Sequence, residues 1–208
     1  MLHGKIVFPL LSVCQFWTFC FALAIDAGAR GLIGSNSFYF LKHKGWRGLL
    51  LDADLNCVKE LKDLYKGNDR VLVEQALLAD RPGVEMSFWL AGGGSSVFEI
   101  PGFPKVKMFS TTLNEVLVKN KIPKIDVLTV DIEGMDEVVV KGLNFELYKP
   151  RVIVVEGPKK SSFLEDKGYC FWRFNGQDTF WIKKSDMEKY HPKNFWLEGQ
   201  IFFHIHRD

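Results

Sequence analysis

The sequence predicts an α/β fold, a doubly wound and mostly parallel sheet with a C-terminal antiparallel hairpin. Three observations carry that prediction. Beyond residue 20, short apolar runs alternate with amphipathic segments; several of those runs end in an acidic residue; and two strand-like runs near the C-terminus flank the turn sequence Asn175-Gly176-Gln177-Asp178.

The elements follow in order. Phe21 to Asp26 is a short apolar run closed by an acid and Gly28, the pattern of a buried strand. Ser35-Asn36-Ser37 offers N-cap side chains for a helix over Phe38 to His43. Gly48 to Asp52 (GLLLD) reads as a second buried strand, and Leu55 to Tyr65 spaces Val58, Leu61, Leu64 and Tyr65 along one helical face. Val71 to Leu77 is a third strand. Consecutive βαβ units give a parallel sheet, because each crossover returns the chain in the same direction. Arg81 to Phe109 breaks the alternation. There Val84 to Leu90 is strand-like, and Gly92-Gly93-Gly94-Ser95-Ser96 with a Pro-containing loop marks a flexible insertion over the sheet's edge. Alternation resumes with a helix over Leu113 to Asn120, a strand over Ile125 to Asp131, a helix from Met135 to Lys141 and a strand over Val152 to Glu156. Tyr169 to Phe174 and Thr179 to Lys183 form the closing hairpin. The domain therefore spans 21–183, between an apolar lead-in over 1–20 and an aromatic tail over 184–208 whose structure the pattern does not specify.

Composition narrows the function. Hydrophobic residues at 47% and charged residues at 25% fit a globular chain and exclude disordered and collagen-like ones. A net charge of +2 with basic residues scattered along the chain argues against a nucleic-acid partner. Cys14, Cys20, Cys57 and Cys170 lack metal or disulfide spacing and read as small buried hydrophobes of a reducing compartment. His204 and His206 share a strand face without a third ligand in reach, so no metal is expected. The apolar run from Ile6 to Ile25 is long enough to span a bilayer, yet its last residues lead straight into the first core strand. It reads as the buried lead-in of a cytoplasmic protein, with membrane anchoring through residues 6–25 as the alternative.

Ligands of open parallel sheets bind outside the carboxyl ends of the strands. A dinucleotide site at the first turn wants G-x-G-x-x-G, so that backbone amides can hold a pyrophosphate. Here Gly28, Gly31 and Gly34 contain no G-x-G, and Asp26 stands at the turn. A carboxylate there repels a pyrophosphate and suits an ammonium, which points to S-adenosylmethionine. In that reading Asp26 faces the ammonium beside the Gly28-Ala29-Arg30 turn, and Ser35, Asn36 or Arg30 takes the carboxylate. Asp52, with Ala53, takes the ribose hydroxyls, while Gln75, Ala76 and Leu77 border the adenine. The plainer readings are a turn cap for Asp26 and a solvated loop charge for Asp52.

Methyl transfer to a hydroxyl needs alignment and a base. Asp131 and Glu133, two residues apart at a strand end, are the candidate bases; capping the helix near Met135 is their plainer role. Glu156, Ser95 and Ser96 are candidate acceptor contacts, with a strand-end cap and a linker as the alternatives.

The run IDAGARG, followed by SNSF, GWRGLLLDAD, VLVEQAL, the Gly-Ser-Ser loop at 94–96, TTLNEVL, and IDVLTVDIEGMDEVVVKG with RVIVVEG, resembles the FkbM-type family of S-adenosylmethionine-dependent methyltransferases over about residues 21–183. The resemblance implies a class I methyltransferase (Rossmann-like) fold and O-methylation of a hydroxyl on a sugar or small metabolite, hence a small-molecule or carbohydrate acceptor. Two residues depart from the family's pattern. Arg30 stands where the family usually carries Asn, and Thr129 where it usually carries Lys. The second departure favours the alternative of a catalytically inactive, cofactor-binding homologue. A nicotinamide oxidoreductase lacks its G-x-G, and a nucleic-acid methyltransferase lacks its lysine-rich constellation.

Overall fold

The computed structural model describes residues 22–30, 35–158 and 163–190. β1 (Leu23–Ala27), α1 (Phe38–His43), β2 (Arg47–Asp52), α2 (Leu55–Leu64) and β3 (Val71–Gln75) make the first two βαβ units. The chain then leaves the main sheet through β4 (Leu77–Leu78), β5 (Glu85–Trp89) and β6 (Lys105–Thr111). It returns with α3 (Leu113–Lys119), β7 (Val127–Val130), α4 (Asp136–Gly142) and β8 (Val152–Glu156). The end of the domain is α5 (Phe163–Asp166), β9 (Tyr169–Phe174), β10 (Asp178–Lys183) and α6 (Lys184–Tyr190).

The seven-stranded main sheet runs β3-β2-β1-β7-β8-β10-β9. The first five are parallel and β10 is antiparallel to both β8 and β9, so the hairpin closes the sheet as the sequence predicts. Every residue of β1 is buried, which is what a central strand covered on both faces requires. Alternation along the strands sorts the core into two layers. Ile25, Ala27, Leu49, Leu51, Leu128, Val130 and Ile153 pack with side chains of α3 and α4. Ala24, Leu50, Val127, Val154 and Phe180 pack with Phe40, Leu41 and Leu61 of α1 and α2. Asp26 and Thr129 lie side by side in register, at adjacent positions of β1 and β7.

The starts of α2 and α3 follow local chemistry, while those of α1 and α4 carry no side-chain cap. Asp54 caps α2 by accepting from the Asn56 N–H at 2.8 Å, and Thr112 with Glu115 forms a capping box on α3. Ser37 precedes α1 as predicted, but its hydroxyl makes no cap; it points to Asp26 instead.

The 81–109 region is more ordered than its glycines and prolines suggest. β4, β6 and β5 form a second sheet in that order, with β6 unforeseen because most of its residues are exposed and give no alternating apolar face. Past the hairpin, α6 is held by Arg151 Nε donating to Asp186 Oδ2 at 2.9 Å. Cys57 and Cys170 are half-buried rather than core residues. Cys14, Cys20, His204, His206 and the run up to Phe21 lie outside the described residues, while Ala22 to Ile25 are buried, three of them in β1. Among the described residues no helix is long and apolar enough to cross a membrane.

Candidate active site

The site begins with a glycine. Gly28 follows β1 at φ +84°, and a Cβ there would stand 1.7 Å from the Asp131 carbonyl oxygen. Only a residue without a side chain lets the β1 turn approach the end of β7 so closely. Gly28 N and Ala29 N donate to the Leu51 carbonyl at 2.8 and 3.1 Å, and Asp131 N donates to the Ala27 carbonyl at 2.9 Å. The ends of β1, β2 and β7 are thus stitched together where the chain reverses direction across the sheet, the usual ligand position in such folds.

Beneath this junction Asp26 is fully buried and held by neutral donors. Its Oδ2 accepts from Ser35 Oγ at 2.8 Å, Ser37 Oγ at 2.8 Å and Ser37 N at 3.1 Å. Its Oδ1 accepts from Thr129 Oγ1 at 2.5 Å. Ser35, Asn36 and Thr129 are themselves buried, so this network ties the start of α1 to β1 and β7 below the cleft.

The cleft above is lined by Gly28, Arg30, Asp52, Ala53, Ala76, Leu77, Asp131 and Glu133, with apolar walls from Leu78, Phe88, Ile132 and Met135. Asp52 turns a largely buried carboxylate to it, one oxygen accepting from Asp54 N at 2.8 Å and the other from Arg30 N at 3.1 Å. Burial holds the Asp52 carboxyl above its ordinary value, against these amide donors. Gln75 instead reaches back, its Nε2 donating to the Ala53 carbonyl at 2.9 Å.

Arg30 crosses the cleft. Its Nη2 donates to Asp131 Oδ1 at 3.3 Å and to the Glu133 carboxylate, while Gly93 of the covering loop lies against its guanidinium. The free volume is about 40 Å³, room for a few waters. A cationic ligand group that takes these acids has to displace the Arg30 guanidinium.

The loop after β5 pins the acids from above. Ser96 Oγ donates to the Glu133 carbonyl at 2.9 Å, and Ser95 Oγ closes its own loop onto the Gly92 carbonyl at 2.8 Å. Glu133 sits at φ +57°, a strained conformation for a residue with a side chain, and Gly134 follows at φ +108° under the Phe98 ring. Asp136 secures the turn, its two oxygens accepting from the N–H groups of Ile132 and Gly134 at 2.8 and 2.9 Å.

Asp131, Asp136 and Glu156 bring carboxylate oxygens within 4.8 Å of one another. Burial pushes the Asp131 carboxyl up to about 7, helped by hydrogen-bonded Glu156 and by Glu133 and opposed by the Arg30 guanidinium. Burial and Glu133 raise Glu156 as well. By contrast the Cys57 thiol is pushed up to about 12 by burial and neighbouring acids, which keeps it protonated and unreactive.

Of the residues singled out from the sequence, Gly28, Arg30, Asp52, Ala53, Ala76, Leu77, Ser95, Asp131 and Glu133 share the cleft. Asp26, Ser35 and Asn36 lie below it, Gln75 beside it and Glu156 against Asp131. Asp136, Phe88 and Met135 were missed. Asp136 had a readable signal, an acid in the first turn of a helix two residues past Gly134; Phe88 had none, because it arrives from the second sheet.

This parallel sheet, with an acid-lined cleft over its switch point, is a class I methyltransferase fold. The profile of the methyltransferase FkbM domain matches residues 26–169, and the chain belongs to that family. Among solved structures, the METTL16 methyltransferase domain aligns at a TM-score of 0.51 and 14% identity, over 86% of this chain and 66% of that one, so this chain spans just under two thirds of its length. Precorrin-6y C5,15-methyltransferase from Geobacter metallireducens GS-15 aligns at a TM-score of 0.46 and 14% identity, over 84% and 87% of the two chains. A search of curated proteins finds no match.

Proposed function

We propose that this methyltransferase uses S-adenosylmethionine and methylates a hydroxyl of a sugar or small metabolite, with Asp131 as the base. The observation that carries the reading is the pairing of a half-neutralised acid cluster with Asp52 across one cleft. Asp52 supplies acceptor oxygens for ribose hydroxyls, and Ala76, Leu77, Leu78 and Phe88 supply an apolar bed for a base ring. At the other end, Asp131 and Glu133 already bind a cation, the Arg30 guanidinium. A ligand's ammonium or sulfonium fits Glu133 of this pair once Arg30 lets go, which leaves Asp131 to the acceptor hydroxyl. Arg30 then changes partners, its freed guanidinium meeting the ligand's carboxylate.

When bound, the cofactor supplies a methyl group on a sulfonium, which needs no acid catalysis. Asp131, near neutrality in proton affinity, takes the hydroxyl proton as the oxygen attacks. Glu156 steadies that proton on Asp131 by accepting a hydrogen bond from it. Asp26 acts from below as a positioning residue, fixing the β1 turn. The Thr129 hydroxyl is buried and donates to Asp26, so this departure from the family's pattern falls below the cleft and not on its carboxylates. The test is product formation from methyl-labelled cofactor across a panel of hydroxylated acceptors. Labelled methyl ether from wild type, lost in Asp131→Asn with cofactor binding kept, supports the reading; binding without turnover on any acceptor favours the silent homologue.

A further inference from the structure

The loop that follows β5 is folded on itself and leans across the cleft on one ion pair. Ala91 N donates to Ser95 Oγ at 2.9 Å, and Trp89 and Ser96 exchange backbone hydrogen bonds at 2.8 and 3.1 Å, so residues 91–98 hang from the end of β5 as one unit. Gly92, Gly93, Ser95 and Val97 line the cleft. On the opposite wall the loop meets Arg30 and the turn at Glu133. A Cβ on Gly93 would stand 3.4 Å from Arg30 Nη1, Ser96 Oγ donates to the Glu133 carbonyl at 2.9 Å, and the Phe98 ring covers Gly134.

Glu133 therefore holds two groups at once, the loop on its carbonyl and the Arg30 guanidinium on its carboxylate. Both partners of that ion pair carry side chains in the left-handed region, Arg30 at φ +33° and Glu133 at φ +57°. Such backbone is costly and persists only where the surrounding contacts enforce it. The pair also covers the base. Arg30 Nη2 bonds Asp131 Oδ1 at 3.3 Å beneath the loop, and Asp131 is 6% exposed, which leaves an acceptor hydroxyl little access to that carboxylate.

We infer that residues 91–98 are a lid latched by Arg30 on Glu133, and that cofactor binding releases the latch and opens the way to Asp131. The inference rests on the cofactor reading above and adds an order of events to it. A ligand shifts an equilibrium only when it prefers one of the two states. The cofactor's cation has that preference, because in the latched state the guanidinium already occupies the Glu133 carboxylate. Once the cation is there, Arg30 withdraws from Gly93, the Glu133 turn relaxes and the lid lifts. The cofactor therefore binds first and the acceptor second, and without cofactor the base stays covered.

The test is hydrogen exchange of the full chain over residues 90–98, with and without saturating S-adenosylmethionine, and calorimetry on the same samples. Most ligands slow exchange where they bind, so the sign is informative: the cofactor should speed exchange in this segment about fivefold or more while slowing it around Asp52 and Ala76. Arg30→Ala should exchange at the fast rate with no cofactor and gain nothing on its addition. Arg30→Lys, which keeps the charge but not the planar fork, should fall between. Exchange over 90–98 that slows or stays unchanged while heat is released overturns the lid and leaves the cofactor reading standing. A folded Arg30→Ala that exchanges as slowly as wild type overturns the latch. No heat from wild type overturns the cofactor as trigger, together with the reading it rests on.

Discussion

Asp131 holds its proton into the neutral range, and two measurements follow from that. In its proposed role as base it works only when ionised, so turnover should rise with pH through about 7. Arg30 favours the ionised form in the ligand-free protein; Arg30→Ala should therefore move the acid limb of the kcat/KM profile for the cofactor, which reports the free enzyme, upward by about half a unit or more, and weaken cofactor binding roughly tenfold. A limb that stays in place would show that Arg30 does not govern Asp131. For stability the sign is opposite to that of a salt-bridged acid. The folded state binds this proton more tightly than the unfolded one, so Asp131 favours folding at low pH and loses that contribution as pH rises from about 4 through about 7. Asp131→Asn should lose about 100-fold or more in turnover and yet melt no lower, and with a flatter pH dependence, than wild type above pH ~7. Thermal melts across that range check it. Gly28→Ala is the opposite case. Its methyl would overlap the Asp131 carbonyl at a φ that penalises any side chain, so a loss of several kcal/mol (~3 or more) and an inactive protein are expected in denaturant titration.

Elements differ in how far the sequence reveals them. β2, β8 and the closing hairpin are legible because a buried parallel strand is a dense apolar run and a tight turn carries Asn-Gly. α2 is legible because Val58, Leu61, Leu64 and Tyr65 fall on one helical face; its Asp54 cap comes to light only in the structure. β6 is not, since its stability comes from pairing with β4 and β5 rather than from an apolar face of its own. The candidate site shows the same division. Strand ends announce Asp52 and Asp131, but the partners of Asp26 and Arg30 lie up to 103 residues away, beyond any local pattern. The Ser35-Asn36-Ser37 segment reads as a cap because Ser and Asn have that local preference; tertiary contact with Asp26 overrides it. The loop after β5 is held to the site through Ser96. Ser96→Ala removes two part-buried hydrogen bonds, one to the Glu133 carbonyl and one from Phe98 N, so about 1 to 2 kcal/mol of stability and a several-fold rise in KM are expected, with kcat less affected. Unchanged KM would detach that loop from substrate binding.

At the scale of the whole molecule, the sheet separates charge. Carboxylates collect where parallel strands end, and exposed basic side chains such as Arg47, Arg70 and Lys124 where they begin. A net charge of +2 conceals this polarity, which only the strand order discloses. The fold also explains why the two departures from the family's pattern do not clash. Thr129 points to the buried side of β7 and Arg30 into the cleft, and each finds its carboxylate, Asp26 for one and Asp131 with Glu133 for the other. The central claim is a cofactor cleft bounded by Asp52 and Asp131. Calorimetric titration of the wild type, Asp52→Ala and Asp131→Asn with S-adenosylmethionine tests it most directly. Micromolar binding by wild type, lost in Asp52→Ala and retained in Asp131→Asn, is the expected result; no heat from a well-folded wild-type protein would contradict it.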